Sequence, residues 1–168
     1  MPLRMLICSE NEIEDLSPLA GMPLNTLSCH GNRIGSLAPL NNMPLSALTC
    51  GENKLRDLGP FDRQPPAVFL FDCESLPTGD LKRIRGTWSK SPELSQHARE
   101  VETLIALRNR DIHQLKTIAS EFKGRRYLFI PKFMRWADAR AFCEELGGHL
   151  VTITSAEEND FIASLFKG

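Results

Sequence analysis

No run of about 18 apolar residues occurs in the chain, which leaves no sequence for a membrane-spanning helix. Charge of one sign is missing too. Twenty Lys and Arg stand against 21 Asp and Glu, a net of −1, so no global field favours nucleic acid or an anionic membrane. His30, His97, His113 and His149 are scattered, with no His-x-x-x-His or Cys-x-x-Cys spacing, so neither a metal nor a cofactor is expected. There is no Gly-x-Ser-x-Gly turn to present a nucleophile. The acid pairs Glu144-Glu145 and Glu157-Glu158 sit side by side on helix surfaces, whereas a hydrolytic pair needs facing carboxylates. The reading is therefore non-enzymatic. At the N-terminus, Met-Pro-Leu-Arg-Met-Leu-Ile-Cys gives way to Ser9-Glu10-Asn11-Glu12 too soon for a signal peptide's apolar core, so a cytoplasmic setting is expected.

What the chain does have is a repeat. Copies open at Pro2, Pro23 and Pro44, and Pro65 opens a decayed fourth, a period of 21 residues. The frame is Pro-Leu-x-x-Leu-x-Cys-x-x-Asn-x-(Ile/Leu)-x-x-Leu-x-Pro-(Leu/Phe), with Cys8, Cys29 and Cys50 in register and Asn11, Asn32 and Asn53 likewise. A fixed period means that each copy buries its apolar side against its neighbours. The Leu-x-x-Leu-x-Cys tract predicts a short strand, with Leu6 and Cys8, Leu27 and Cys29, and Leu48 and Cys50 inward. The Asn amide both donates and accepts, so it can satisfy backbone groups at the bend that follows. Twenty-one residues leave room on the return side for a 3₁₀ turn rather than a full helix. The repeat cysteines read as buried thiols. In the fourth copy Phe69 and Phe71 take the inward places, and Glu74 stands where the Asn was.

These residues resemble the leucine-rich repeat family in its short variety, over residues 2–64 closely and 65–76 loosely. The resemblance implies a parallel sheet whose concave face binds another protein. Alternation along each strand puts Met5, Ile7, Thr26, Ser28, Ala47 and Thr49 on that face, flanked by Arg4, Glu10, Asn25, His30, Ser46 and Glu52. The face is small, neutral and short of aromatic anchors. Two readings stay open, a protein-binding surface and a mainly structural stub. Met5 and Ile7 read as exposed at an open end, as if the stack began mid-array.

From Thr78 the chain turns helical and basic. Residues 79–126 hold 11 Lys/Arg against 6 Asp/Glu, +5, while residues 1–78 hold 5 against 9, −4. Leu81, Ile84 and Trp88 form one stripe. Ser91 with Pro92 predicts an N-cap, followed by Leu94, Ala98, Val101, Leu104 and Ile105. Asn109-Arg110-Asp111 breaks that helix and caps another, with Ile112, Leu115, Ile118 and Phe122 as its stripe and Gly124 as its stop. Acids alternate with the bases, so a solvated surface is expected rather than a nucleic-acid site. These helices are expected to cover the end of the repeat sheet.

Tyr127-Leu128-Phe129-Ile130 predicts a strand, and Trp136, Ala139, Phe142, Cys143 and Leu146 a helix stopped by Gly147-Gly148. His149–Ile153 predicts a second strand, and Ser155 with Glu158 a capping box before Phe161, Ile162 and Leu165. This run resembles the opening of a C-type lectin-like domain over about residues 125–166. Arg135 departs from the family's usual capping Ser or Thr. In that family the cysteine matching Cys143 pairs with one near the domain's end; no such partner occurs here, so the resemblance implies a free thiol. The family's calcium and sugar motifs, Glu-Pro-Asn or Gln-Pro-Asp and Trp-Asn-Asp, do not occur in the chain, which argues against carbohydrate.

The order of parts resembles internal portions of large bacterial multidomain proteins, some with a Ser/Thr kinase domain. This chain itself has no Gly-rich phosphate loop, His-Arg-Asp or Asp-Phe-Gly. The expectation is an α/β chain: a leucine-rich-repeat solenoid over residues 1–76, a helical connector over 77–126 and a partial C-type lectin-like α+β unit over 127–168. Its expected role is non-catalytic protein binding as part of a larger protein, with sugar binding or regulation of a kinase as alternatives. The last part is expected to hold only if it packs on the connector.

Overall fold

The computed structural model describes residues 2–71, 75–132 and 134–165. Four strands, β1 (Met5–Ile7), β2 (Thr26–Ser28), β3 (Ala47–Thr49) and β4 (Val68–Leu70), form one parallel sheet in chain order. Pairing keeps the sequence period: Leu6 lies beside Leu27, Leu27 beside Leu48 and Leu48 beside Phe69. Each return passes through a 3₁₀ turn, at Ser17–Leu19, Ala38–Leu40 and Gly59–Asp62, and each turn has Pro in its first positions. Proline suits that place because it has no N–H to leave unpaired.

Between strand and return lies a row of asparagines. Asn32 Nδ2 donates to Cys29 O and His30 O in its own unit and, at 3.0 Å, to Cys8 O in the unit before. Its Oδ1 accepts from Ile13 N at 2.9 Å. Asn53 repeats the pattern on Cys29 O, Cys50 O, Gly51 O and Ile34 N. One amide thus bonds backbone groups of two successive units at the bend, beside the backbone bonds that run from Glu10 N to His30 O and from Gly31 N to Gly51 O. Just before it, Glu10, Gly31 and Glu52 all have left-handed backbone, at φ 56°, 65° and 53°.

Leu27, Cys29, Ile34, Leu37, Leu48, Cys50 and Leu58 are fully buried. Cys8, Cys29 and Cys50 are free thiols, and burial together with the neighbouring Cys8 pushes Cys29 up to about 12. Phe69 and Phe71 close the stack as expected, their rings 4.9 Å apart. Glu74, with Asp72 and Cys73, lies outside the described residues.

Helices α1 (Thr78–Trp88) and α2 (Ser95–Arg108) cover that end. Trp88 is fully buried, its ring 6.4 Å from Phe69 and 6.3 Å from Phe71, and its Nε1 donates to Asp62 O. His97, also buried, sits 3.0 Å from Pro66 O and 3.2 Å from Glu100. Ser91 departs from its expected role: it precedes a 3₁₀ turn at Pro92–Leu94, and its hydroxyl donates to Glu93 instead of capping a backbone N–H.

Helix α3 (Ile112–Ile118) starts as expected, with Asp111 accepting from Gln114 N at 2.9 Å. It ends four residues before Phe122, however, because Lys123 and Gly124 make a two-residue hairpin turn, both with positive φ. That turn pairs β5 (Ser120–Phe122) antiparallel with β6 (Arg125–Tyr127). The strand expected at 127–130 accordingly starts two residues earlier and ends at Tyr127. Helices α4 (Trp136–Glu145) and α5 (Ala156–Ser164) follow. The strand expected at His149–Ile153 does not form; no described strand lies beside it, and Val151 and Ile153 stay exposed.

Asn32→Ala should leave Ile13 N without its acceptor and strip the cross-unit bond from Cys8 O, at a cost of about 2 kcal/mol. Asn11→Ala, at an exposed site, should cost no more than about 0.5 kcal/mol. Urea unfolding of the two variants measures the difference. By the same method Trp88→Ala should cost about 4 kcal/mol, as a large cavity would.

Candidate functional site

The sheet has one face that the core leaves uncovered. Met5, Ile7, Thr26, Ser28, Ala47 and Thr49 all point to it, as the alternation predicts. At its β1 end Met5 is 57% and Ile7 71% exposed. Its centre is lined by hydroxyls: Thr49 Oγ1 donates to Ser28 Oγ at 2.7 Å, and Ser28 Oγ lies 2.9 Å from Ser9 Oγ. Below them Ser46 Oγ donates to Asn25 Oδ1 at 2.8 Å. Along the upper rim His30 Nε2 sits 3.2 Å from Glu10 Oε1, with Glu52 exposed one unit further on. Sequence reasoning missed Val68, 50% exposed, and Leu70 as members of the same face. The alternation that places Phe69 inward would have found both.

This face carries no reacting constellation. Its hydroxyls are bonded to one another, and among the described residues no three His, Cys, Asp or Glu side chains converge as a metal site would need. No helix of the described residues is long and apolar enough to cross a membrane. A Ser-rich, weakly charged strip flanked by exposed aliphatics can make contacts and hydrogen bonds, and little else.

A second cluster lies where α5 meets the hairpin. Phe161 stacks on Phe122 at 4.7 Å and meets Tyr127 edge-on at 5.3 Å. Beneath them Glu158, though charged, is buried. Its carboxylate accepts from Thr154 N and Thr154 Oγ1, both at 2.8 Å, and from Tyr127 OH at 2.7 Å. These bonds, the one from Thr154 N foremost, hold Glu158 down to about 2. The capping box is thus half formed: Ser155 Oγ accepts from Glu158 N, but the Glu158 side chain turns to Thr154 and Tyr127. Lys123 pairs with Glu157, and Gln96 on α2 donates to Leu165 O at 3.0 Å, so the segment does rest on the helices before it. Helix α4 buries no residue; Trp136 is 67% exposed, and the Arg140 guanidinium lies 5.9 Å over its ring.

The family model for the lectin C-type domain matches residues 132–168, so the C-terminal part of the chain is similar to C-type lectin domains. Among curated proteins, the beta subunit of the snaclec botrocetin of Bothrops jararaca is 46% identical over 48 residues, 27% of this chain and 38% of that relative. One subunit of the snaclec coagulation factor IX/factor X-binding protein of Echis carinatus is 42% identical over 50 residues, 29% and 38% of the two chains. The human C-type lectin domain family 17, member A is 45% identical over 42 residues, 25% of this chain and 11% of its own length. The chain therefore spans well under half the length of these relatives.

Acid should release α5 before it unfolds the repeat sheet. Glu158 has a depressed folded pKa, so its contribution is full above the ordinary carboxylate range, near 4.5, and fades as pH falls toward about 2. Fluorescence of Tyr127, the single tyrosine, should change over that window, and Glu158→Gln should abolish the transition.

Proposed function

We propose that this chain is a non-catalytic protein-binding module whose binding surface is the uncovered sheet face, with Met5, Ile7, Thr26, Ser28, Ala47 and Thr49 at its centre and His30 and Glu52 on its rim. The observation that carries this reading is the face itself: exposed Met5, Ile7 and Val68 flank a row of hydroxyls, an apolar-and-polar strip with no covering element among the described residues. The left-handed backbone of Glu10 and Glu52 supports it. The same turn position takes glycine without strain in the middle unit, yet the outer two units hold a carboxylate there, at the rim. The repeat frame and its in-register parallel strands support classing residues 1–76 with leucine-rich repeats. Residues 77–126 are then the connector that closes the stack, and 127–168 a partial lectin-like unit. We place the chain in a reducing, cytoplasmic setting because Cys29 and Cys50 are buried as thiols.

The match to the lectin C-type domain favours a second reading, in which the C-terminal part binds the partner. The relative named for binding factors IX and X makes a protein the favoured ligand class for that part too. Carbohydrate is less favoured, since Glu-Pro-Asn, Gln-Pro-Asp and Trp-Asn-Asp do not occur. A regulatory place in a kinase-bearing polypeptide is a further proposal, resting on the order of parts alone.

Affinity purification with the wild-type chain and with a Thr26→Arg, Thr49→Arg double variant separates these readings. Partners on the sheet face should fall by about tenfold or more with the double variant, as when a central contact is lost. Glu52→Gly should likewise weaken capture while leaving the melting temperature equal or higher. Full retention by the double variant rejects the sheet face, and calcium-dependent retention on a glycan array transfers the function to the lectin-like part.

A further inference from the structure

We infer that His97 is a protonation-controlled latch between the last repeat unit and the C-terminal segment, closed while its ring carries both protons and released when one is lost. The ring is buried, and both of its nitrogens face oxygen acceptors. Nε2 lies 3.0 Å from Pro66 O in the fourth unit, and Nδ1 lies 3.2 Å from Glu100 Oε2. A carbonyl and a carboxylate oxygen can only accept, so each contact is a hydrogen bond only if the nitrogen brings a proton. The imidazolium serves both at once. Either neutral tautomer sets a lone pair against one of them, in a place with little access for water.

The groups around the ring act in the same direction. Trp88 of α1 meets it with ring centroids 5.7 Å apart, within reach of a cation–π contact. Trp88 Nε1 is already given to Asp62 O, and the Asp62 carboxylate is paired with Arg83. On its other side Glu100, nearly buried, borders a cleft together with Arg99 and Tyr127. Arg99 turns its guanidinium to Ile118 O and Ser120 Oγ, and Tyr127 gives its hydroxyl to Glu158. Among the described residues His97 is therefore the titratable base that Glu100 pairs with.

What the latch controls follows from the bonds beyond it. The Gln96 amide has two protons to give; one goes to Glu100 Oε1 at 3.2 Å and the other to Leu165 O at 3.0 Å, just past the end of α5. A single row of bonds therefore runs through Pro66 O, His97, Glu100, Gln96 and Leu165 O, from the fourth unit to the C-terminal segment. Without the Nδ1 proton the ring and Glu100 meet acceptor to acceptor, and Gln96 loses the carboxylate that holds its amide toward Leu165. The seating of α5 then has a limit on each side of neutrality. Protonation of Glu158 releases it in acid, and loss of the His97 proton loosens it as pH rises, so α5 is held most firmly in between.

Amide hydrogen exchange along α5, corrected for the intrinsic effect of pH and followed from about pH 5 to about pH 8.5, covers the range in which an imidazole changes charge. Protection should fall by about tenfold or more toward the alkaline end, the order of one charge-assisted hydrogen bond. His97→Gln should flatten that alkaline limb and leave the acid limb set by Glu158 in place, whereas Glu158→Gln should do the reverse. Nitrogen NMR shifts of the His97 ring in the wild-type chain give a readout that needs no variant to fold. They should show both nitrogens protonated at about pH 5 and one proton lost in step with protection. Flat protection across the range overturns the inference. An alkaline limb that persists in His97→Gln overturns it too, since the effect would then belong to His30, His113 or His149. A His97 ring already neutral at about pH 5 overturns it as well.

Discussion

The carboxamide row is what the repeat half of this molecule depends on. A strand of three residues and a return of three or four leave most of each unit's backbone outside any ladder. Burying such backbone is unfavourable unless its N–H and C=O groups find partners. Asn32 and Asn53 do this across two units each, so the apolar row of Leu and Cys can be dry without orphaning the bend above it. Aspartate could not donate in that place, and leucine could do neither. The side chain that joins the units is therefore polar, although the energy that holds them together is largely apolar.

The two ends of the sheet are finished differently, and the contrast explains the helices. At β4 the inward positions swell from Leu and Cys to Phe69 and Phe71, which project far enough to meet Trp88. Arg83 of α1 reaches Asp62 at 2.7 Å, and His97 of α2 reaches Pro66 O. The helical segment thus holds the last unit by apolar rings and by bonds to its backbone carbonyls at Asp62 and Pro66. Its basic excess is spent on such ion pairs and on solvent, as with Arg85 and Glu102, rather than gathered into a patch for phosphate.

Much of this is legible in the chain because a period repeats its own evidence. Leu27, Cys29 and Asn32 can each be checked against two counterparts, and their inward direction and the amide's role follow from alternation and donor count alone. The C-terminal segment offers no such redundancy. There, β-rich composition at Tyr127–Ile130 and His149–Ile153 suggests strands, but a strand exists only by pairing. The Lys123-Gly124 turn sets the hairpin register and pairs Ser120–Phe122 with Arg125–Tyr127, a strand that starts two residues earlier than composition implies. His149–Ile153 has no described neighbour to pair with. Glu158 reads from the sequence as the second half of a capping box, yet Tyr127, far away along the chain, competes for its carboxylate. Local pattern cannot reveal that partner.

The two candidate surfaces differ in what keeps them in shape. The sheet face is the outer side of a filled core, so its hydroxyl row is held by buried Leu27 and Leu48 directly beneath. The lectin-like segment has α4 with nothing buried, and its order rests on one ring stack and one charged side chain with three donors. A charge-assisted cluster of that kind is lost when the carboxylate is protonated, whereas apolar burial is not. A surface that must stay rigid to discriminate a partner is better placed on the first support than on the second. This is the physical ground on which the sheet is proposed as the binding surface even though the family likeness lies at the other end of the chain.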